Sequence, residues 1–233
     1  MTRSQPLIAQ SFDSGFALAH DSYNCISATP DGSICYVLAS AEPDQGGRVF
    51  RFDPQTSEIT ALAELDDCCG EKNSGCIAQG KSHDGFYSFE GRLFFSTHIG
   101  YYESIDGMER LPVRHPAGGG LYRGGHLLSV DPSGNRIEDH VTLPGEGILA
   151  MTLDTDRGIA YLLSWPSGVL YAYHIPSGDL VTAGKTAGMG EAGYPGKDYR
   201  VLCRSLLLDP TAARYMVPPP KAMYSATIPI TAG

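Results

Sequence analysis

The sequence predicts an all-β fold, a β-propeller of four-stranded antiparallel blades, and the ring is expected to be partial. Three observations lead to this prediction. One strand-and-turn pattern occurs three times along the chain, and the same turn residues recur at the same points of each copy. Without its insertions a copy is roughly 40 residues long, which is the usual length of a propeller blade. The alternative is an ordinary β-sandwich with coincidental hairpins.

The three copies are read directly from the sequence. The first begins with ISATPDGSICYVLAS and ends with RVFRFDPQTSEITALAEL, and a fourth begins with RSLLLDPTAARYMV and then loses the pattern. We expect propeller blades over 1–217 and an irregular tail over 218–233, with blades at about 23–65, 83–143 and 148–186 and a partial blade at about 200–217. A fragment of a larger ring is favoured over a compact four-bladed ring closed by a strand from Pro6–Phe12.

Turn chemistry indicates which loops share a face. Asp, Pro and Gly mark the tight turns inside each copy, such as Asp31-Gly32 and Asp53-Pro54. In a four-stranded meander these turns lie at one edge, and the remaining loops lie at the other. Every insertion falls at that second edge, over 41–47, 66–82, 99–124, 165–167 and 186–199. Long loops gathered on a rigid scaffold usually carry function.

Composition excludes some partners. The net charge of -9 argues against nucleic acid, because phosphate binding needs a basic surface. No apolar run is long enough to span a membrane, and no secretory leader is visible in MTRSQPLIAQSFDSG. The location is therefore unknown, with a cytoplasmic protein and reduced thiols as the default expectation.

The six cysteines are too few for a disulfide scaffold in a chain of 233 residues. Cys68 and Cys76, with Cys69 and His83, form a candidate structural zinc site, because thiolate and imidazole are the ligands that zinc prefers. Their spacing matches no known zinc finger, so free thiols in an ordered loop are the alternative. No cofactor is otherwise required.

Two histidines are the main candidates for chemistry. His83 precedes an inner strand in GKSHDGFYS, and His98 ends the next strand in LFFSTHIGYY. Adjacent antiparallel strands joined at Glu90-Gly91 bring both positions to the same rim. Imidazole can act as acid or base near neutral pH. Two solvated rim histidines are the alternative.

Other candidates lie in the insertions and at strand ends. Tyr101, Tyr102 and Arg114 follow His98, and aromatic rings beside cations suit sugar stacking and carboxylate pairing. Trp165 ends the strand that corresponds to the one ending at His98, so we expect it at the same rim as a stacking platform, although a lone Trp is more often part of the core. A further pair, Arg200 and Arg204, shares strand parity, and a salt bridge with Asp198 or Glu191 is the alternative.

From about Ser82 to Arg204 the chain resembles the propeller-fold polysaccharide lyases of the ulvan-lyase-like and oligogalacturonate-lyase-like groups. The blade pattern and the histidine pair in KSHDGFYSFEGRLFFSTH carry the resemblance. It implies that a histidine pair, a tyrosine and an arginine act in a central cleft. His83 and His98 match the pair.

The resemblance also implies roles for the remaining residues. Arg204, or Arg200, would neutralise the uronate carboxylate, and Tyr102 is the candidate tyrosine. Tyrosine or histidine would remove the C5 proton and protonate the leaving oxygen. The predicted function is β-elimination on an acidic, uronate-containing oligo- or polysaccharide. The alternatives are a non-catalytic propeller that binds a partner through the same face, and a metal-dependent lactonase, for which the sequence offers no clear ligand set. Exposed blade edges also predict self-association.

Overall fold

A computed structural model describes residues 8–132 and 136–209, together with the backbone of two further strands at 214–217 and 226–228. The chain forms three four-stranded antiparallel sheets, one three-stranded sheet and a separate two-stranded hairpin. This confirms the prediction of an all-β fold made of four-stranded blades that form a partial propeller.

The first copy of the repeat forms a simple meander. Its strands are β1 (Ile26–Ala28), β2 (Ile34–Leu38), β3 (Arg48–Asp53) and β4 (Glu58–Glu64), followed by the short helix α1 (Leu65–Cys68). Neighbours in the chain are neighbours in the sheet. Buried and half-buried residues alternate along β2, with Cys35 and Val37 inward. That period of two indicates a sheet with one covered face.

The second copy carries the longest insertion. Its strands are β5 (Tyr87–Phe89) and β6 (Arg92–Ser96), then the inserted hairpin β7 (Glu103–Ile105) and β8 (Met108–Arg110), then β9 (Gly124–Val130) and β10 (Ile137–Pro144). The four blade strands pair in the order β5-β6-β9-β10, and β7 pairs only with β8 among the described strands. The hairpin was not predicted, although Asp106-Gly107 supplies the positive φ angles, 54° and 73°, that a tight hairpin turn requires.

The third copy is the most regular blade. It consists of β11 (Gly147–Asp154), β12 (Ile159–Trp165), β13 (Val169–His174) and β14 (Asp179–Lys185). Every residue of β11 is buried, because this strand is covered on both faces. Beyond β14, the loop over 186–199 includes a 3₁₀ turn at Gly190–Ala192.

The fourth sheet differs from its prediction. It contains β15 (Leu207–Asp209), β16 (Arg214–Val217) and β17 (Ala226–Ile228) in that order. Within the tail expected over 218–233, the backbone of Ala226–Ile228 pairs with Tyr215–Val217. The rest of the tail, and Pro6 and Leu7 of the proposed closing strand, lie outside the described residues.

The core lies between successive blades. Cys35 and Val37 of the first blade pack in one cluster with Leu93 and Phe95 of the second. A second cluster joins the second and third blades, and a third joins the third blade to Leu202 and to the loops. Burial of apolar side chains between stacked sheets is the main stabilising contribution in such folds.

The insertions meet at one edge, as the meander predicts. Backbone hydrogen bonds run from Ser40 N to Gly80 O at 2.8 Å and from Ile77 N to Gly120 O at 3.1 Å. A further bond runs from Glu191 N to the Pro166 carbonyl at 2.8 Å. Loops from three blades therefore form one continuous surface. No helix in the described part of the chain is long and apolar enough to cross a membrane.

Candidate functional site

The two predicted histidines lie in contact. An isolated antiparallel bridge pairs Lys81 with His98, with Lys81 N donating to His98 O at 3.0 Å and His98 N to Lys81 O at 2.7 Å. His83 follows two residues later, and its ring centroid lies 4.4 Å from that of His98. The two histidines therefore lie side by side, and both side chains are buried rather than solvated.

Aromatic rings enclose the pair. Tyr23 meets His83 edge-on with centroids 4.2 Å apart. On the other side, Trp165 lies 5.3 Å and Tyr102 6.1 Å from His98, again between ring centroids. The sequence placed Trp165 beside His98 correctly. It is only 3% exposed, however, so it supports the site from behind and offers no stacking platform at the surface.

Lys81 is the cation of this cluster. Its ammonium lies 4.3 Å from the centroid of Tyr23 and 4.7 Å from that of Tyr102. The residue is 8% exposed, and it forms no ion pair with a carboxylate of the described residues. Burial lowers the pKa of Lys81, and attraction to Asp21 and Glu109 partly opposes that change. A cation between two aromatic faces is held electrostatically without being neutralised.

Both histidines are neutral at physiological pH. Burial lowers the pKa of His98 to about 3, although a hydrogen bond with the Ile99 carbonyl opposes this. Burial, with help from His98 and Lys81, lowers the pKa of His83 well below its ordinary value. Both ring nitrogens of His83, and Nε2 of His98, are buried without a hydrogen-bond partner among the described residues.

Tyr102 completes the constellation. The Nδ1 of His98 lies 3.0 Å from the carbonyl of Ile99, which can only accept, so this nitrogen carries the proton. The hydroxyl of Tyr102 lies 3.3 Å from the same nitrogen and accepts from it. Its own proton is then free to be donated elsewhere. Burial raises the pKa of Tyr102, so the phenol stays protonated.

A cavity of about 240 Å³ opens above these groups. Lys81 and Tyr102 form its inner end, and Asp21, Tyr23 and Glu109 stand around it. Glu109 belongs to β8, which Arg110 fastens to the loop after the third blade through the carbonyls of Glu191 and Gly193. The inserted hairpin is thus a fixed wall of the cavity.

Arg204 lies near the site but is already paired. Its guanidinium donates to both carboxylate oxygens of Glu191, at 2.6 Å and 3.0 Å. Glu191 also accepts from Trp165 Nε1 at 2.7 Å and from Leu202 N at 2.9 Å. The salt-bridge alternative for Arg204 is therefore observed. Within this cluster, Lys81 rather than Arg204 forms no direct ion pair with a described residue.

Three other candidates lie apart from the histidines. Tyr101 and Arg114 line a separate cavity of about 490 Å³ on the other side of the segment 100–103. Arg200 is exposed, and its Nη1 donates to the Tyr199 carbonyl at 2.7 Å. Strand parity did not bring Arg200 to Arg204. Residues 200–206 form no strand, because β15 begins only at Leu207, so the parity rule does not apply to this pair.

The cysteines do not assemble a metal site. Across 8–132 and 136–209, no three His, Cys, Asp or Glu side chains gather as metal ligands. Cys68 donates to the Glu64 carbonyl at 3.0 Å, whereas Cys76 lies 3.3 Å from Arg123 Nε. His83 contacts Tyr23 and His98 instead. The zinc expectation thus gains no geometric support, and all six thiols are free.

Sequence reasoning missed Lys81 and Tyr23, and it named Glu191 only as a possible salt-bridge partner of the arginine pair. Lys81 stands two residues before His83, and this proximity in the sequence was an available signal. A lysine in a loop is usually solvated, which is why it was passed over. Tyr23 precedes the first strand, and its approach to His83 is a long-range contact that no local pattern encodes.

Comparison with known proteins identifies the architecture. A scan against protein-family models and a search of curated proteins gave no match. Among solved structures, a putative gluconolactonase is 12% identical with a TM-score of 0.50, and 86% of this chain covers 58% of that one. The extracellular domain of a putative one-component system from B. thetaiotaomicron is 13% identical with a TM-score of 0.51, over 88% of this chain and 21% of that one.

These likenesses concern the fold alone, because the identities are so low. The chain spans 58% and 21% of the lengths of the two matched structures, so it corresponds to part of each. Together with the sheet order, they show that the chain consists of β-propeller blades that form part of a ring.

Proposed function

We propose that the chain binds an acidic sugar at the loop-rich face and cleaves the adjoining glycosidic bond by β-elimination. The observation that carries this proposal is Lys81, a nearly buried ammonium without a carboxylate partner, at the inner end of a polar cavity. Attraction to Asp21 and Glu109 compensates this buried charge only in part, and a directly paired anionic ligand relieves the remaining cost. A uronate carboxylate has the matching charge.

The neighbouring groups suit the reaction. A proton next to a carboxylate becomes acidic only when the carboxylate charge is neutralised, and a fixed cation supplies that stabilisation as charge develops. A positioned base adds typically about 10²–10⁴-fold. Neutral His83 has free lone-pair capacity for a proton, and protonated Tyr102 can donate one.

The assigned roles balance. Lys81 pairs with the carboxylate, His83 accepts the C5 proton, and Tyr102 donates its proton to the leaving oxygen. The C5–H and C4–O bonds break, and a C4=C5 double bond forms. His98 is a positioning residue, because its Nδ1–H orients the Tyr102 hydroxyl. No redox partner is needed.

A second candidate function is binding without catalysis. One observation favours it: His83 is 4% exposed and lies beneath Tyr23, so a bound sugar meets Lys81 and Tyr102 before it meets the histidine. In that case the same cavity would capture an acidic sugar and release it unchanged. Catalysis requires Tyr23 to turn away from His83.

The test is incubation with a panel of uronic-acid oligomers, followed by the ultraviolet absorbance of the unsaturated product and by calorimetric binding. We expect absorbance to rise with the unaltered protein and to be lost in Tyr102→Phe, which keeps the cavity and binding. Lys81→Met should weaken binding by about tenfold or more, because an interaction with a buried charge is removed.

Lys185→Met is the matched control, since Lys185 is exposed at the end of β14. It should bind like the unaltered protein. Binding without any absorbance change would select the second candidate. If no uronate binds, or if Lys81→Met and Lys185→Met behave alike, the proposed site is wrong.

A further inference from the structure

We infer that Asp21 and Glu109 make this cavity selective for sugars with one anionic group, that is, unsulfated uronates. The inference rests on the proposed function of the site. When the ligand's carboxylate is paired with Lys81, the charges around the cavity decide whether a second anionic group on the ligand is tolerated.

The cavity has a cationic end and an acidic rim. Lys81 is buried at the inner end, whereas Asp21 is half-exposed and Glu109 is exposed. Both carboxylates are near enough to attract the Lys81 ammonium. Among the described residues, neither carboxylate forms an ion pair with Lys81, and both line the same cavity.

Hydrogen bonds hold the Asp21 carboxylate in place. Asp21 Oδ1 accepts from Tyr23 N at 3.1 Å, and its Oδ2 lies 2.7 Å from His20 Nδ1. The main chain of Asp21 is fixed as well, because its carbonyl accepts from Ala39 N at 2.6 Å. Glu109 belongs to the hairpin whose Arg110 donates to carbonyls of the loop after the third blade, so its main chain is anchored at the cavity. The negative charge of both residues therefore stays at the rim when a ligand enters.

The ligand chemistry follows from this arrangement. Carboxylate oxygens only accept hydrogen bonds, so they favour sugar hydroxyls. A second anionic group at the rim would face like charge instead, which costs affinity even when solvent screens it. A ring with one carboxylate and several hydroxyls satisfies both ends of the cavity. A sulfate-bearing uronate satisfies only the inner end.

The experiment compares three ligands of equal length: an unsulfated uronate oligomer, its sulfated counterpart and a neutral oligosaccharide. Binding is measured by calorimetry at about pH 8, where solvated imidazole is largely neutral. We expect the unaltered protein to prefer the unsulfated ligand by about three- to tenfold, and to lose much of that preference at high salt.

The double variant Asp21→Asn, Glu109→Gln should bind the sulfated oligomer more tightly, because the hydrogen-bond acceptors remain while the negative charges are removed. The difference in affinity between the sulfated and unsulfated oligomers should therefore become smaller. Glu103→Gln is the control, since Glu103 faces the other cavity. Equal affinity for the two uronates, or an unchanged difference in the double variant, would overturn the inference while leaving the proposed function intact. Failure of every uronate to bind would instead overturn the proposed function.

Discussion

Neighbouring residues set the pKa of single side chains in this protein, and two histidines are shifted in opposite directions. His98 has no carboxylate beside it, so burial keeps it neutral. His126 lies 2.9 Å from Asp139 Oδ2 and 3.2 Å from Glu71 Oε1. Although burial opposes it, hydrogen bonds to Asp139 and Glu71 raise the pKa of His126 to about 9. His126 is therefore a cation, and it links Glu71, in the loop after α1, to Asp139 in the second blade.

This predicts a pH dependence of stability. The folded pKa of His126 is raised above its ordinary value of 6.5. Its stabilising contribution is therefore complete below about pH 6.5 and is lost as pH rises through about 9. The loss should amount to about 1–3 kcal/mol in the free energy of unfolding. Denaturant unfolding between these pH values should show the decline in the unaltered protein and a flatter curve in His126→Gln. His174→Gln, at a hairpin end, should keep the decline, and equal slopes in all three proteins would refute the assignment.

Among the secondary-structure elements, two connecting segments cross with no room for a side chain. A Cβ on Gly100 would lie 2.0 Å from Ser40 O, and one on Gly80 would lie 2.3 Å from the Gly100 Cα. Neither glycine has a positive φ, so space alone excludes a larger residue there. The crossing fixes Lys81, which follows Gly80 directly, against the strand end at His98.

Gly100→Ala should therefore destabilise the protein by at least about 1–3 kcal/mol, because the new methyl group meets backbone atoms that cannot yield. Thermal or denaturant unfolding measures this change. Gly107→Asn is a suitable control: it has open space around it, and asparagine tolerates its φ of 73°. If Gly100→Ala is as stable as the control, the crossing is looser than described.

The strands could be predicted from the sequence wherever the same pattern recurred in all three copies of the repeat. Three copies with equivalent Asp, Gly and Pro turns identified twelve blade strands, because each turn residue has a backbone reason to be there. The hairpin at Glu103–Arg110 and the strand Ala226–Ile228 have no counterpart in the other copies. The histidine pair followed from the blade pattern, whereas the contact of Tyr23 with His83 depends on how separate segments pack, which local patterns do not contain.

Across the molecule as a whole, the blades form an arc with apolar groups on its outer surfaces. Tyr194 is 64%, Val181 58% and Leu207 57% exposed, and Ile26 of the first strand is 56% exposed. Ile26 and Leu207 belong to the first and fourth sheets, whose free faces the next blade of a larger ring would cover. Large exposed apolar patches usually mark surfaces that bind something.

We therefore expect this 233-residue chain to self-associate or to bind hydrophobic dyes when it is isolated. Size-exclusion chromatography with light scattering across a concentration series tests this expectation. Leu207→Glu and Ile26→Glu should reduce association and dye fluorescence, because a charge on a free sheet face opposes its burial. Thr182→Glu, on the same strand as Val181, serves as a control for added charge. A dye-negative monomer at high concentration would contradict the expectation.

The position of Lys81 between two aromatic rings has a consequence for the thermodynamics of recognition. A free lysine side chain loses up to about 2 kcal/mol of rotamer entropy when a ligand immobilises it. Here folding has already confined the chain, between Tyr23 and Tyr102 and beside a glycine crossing. An incoming anion meets an ammonium that is already ordered and poorly hydrated. Capture should consequently cost little conformational freedom, and its selectivity should depend on the shape of the anion as much as on its charge.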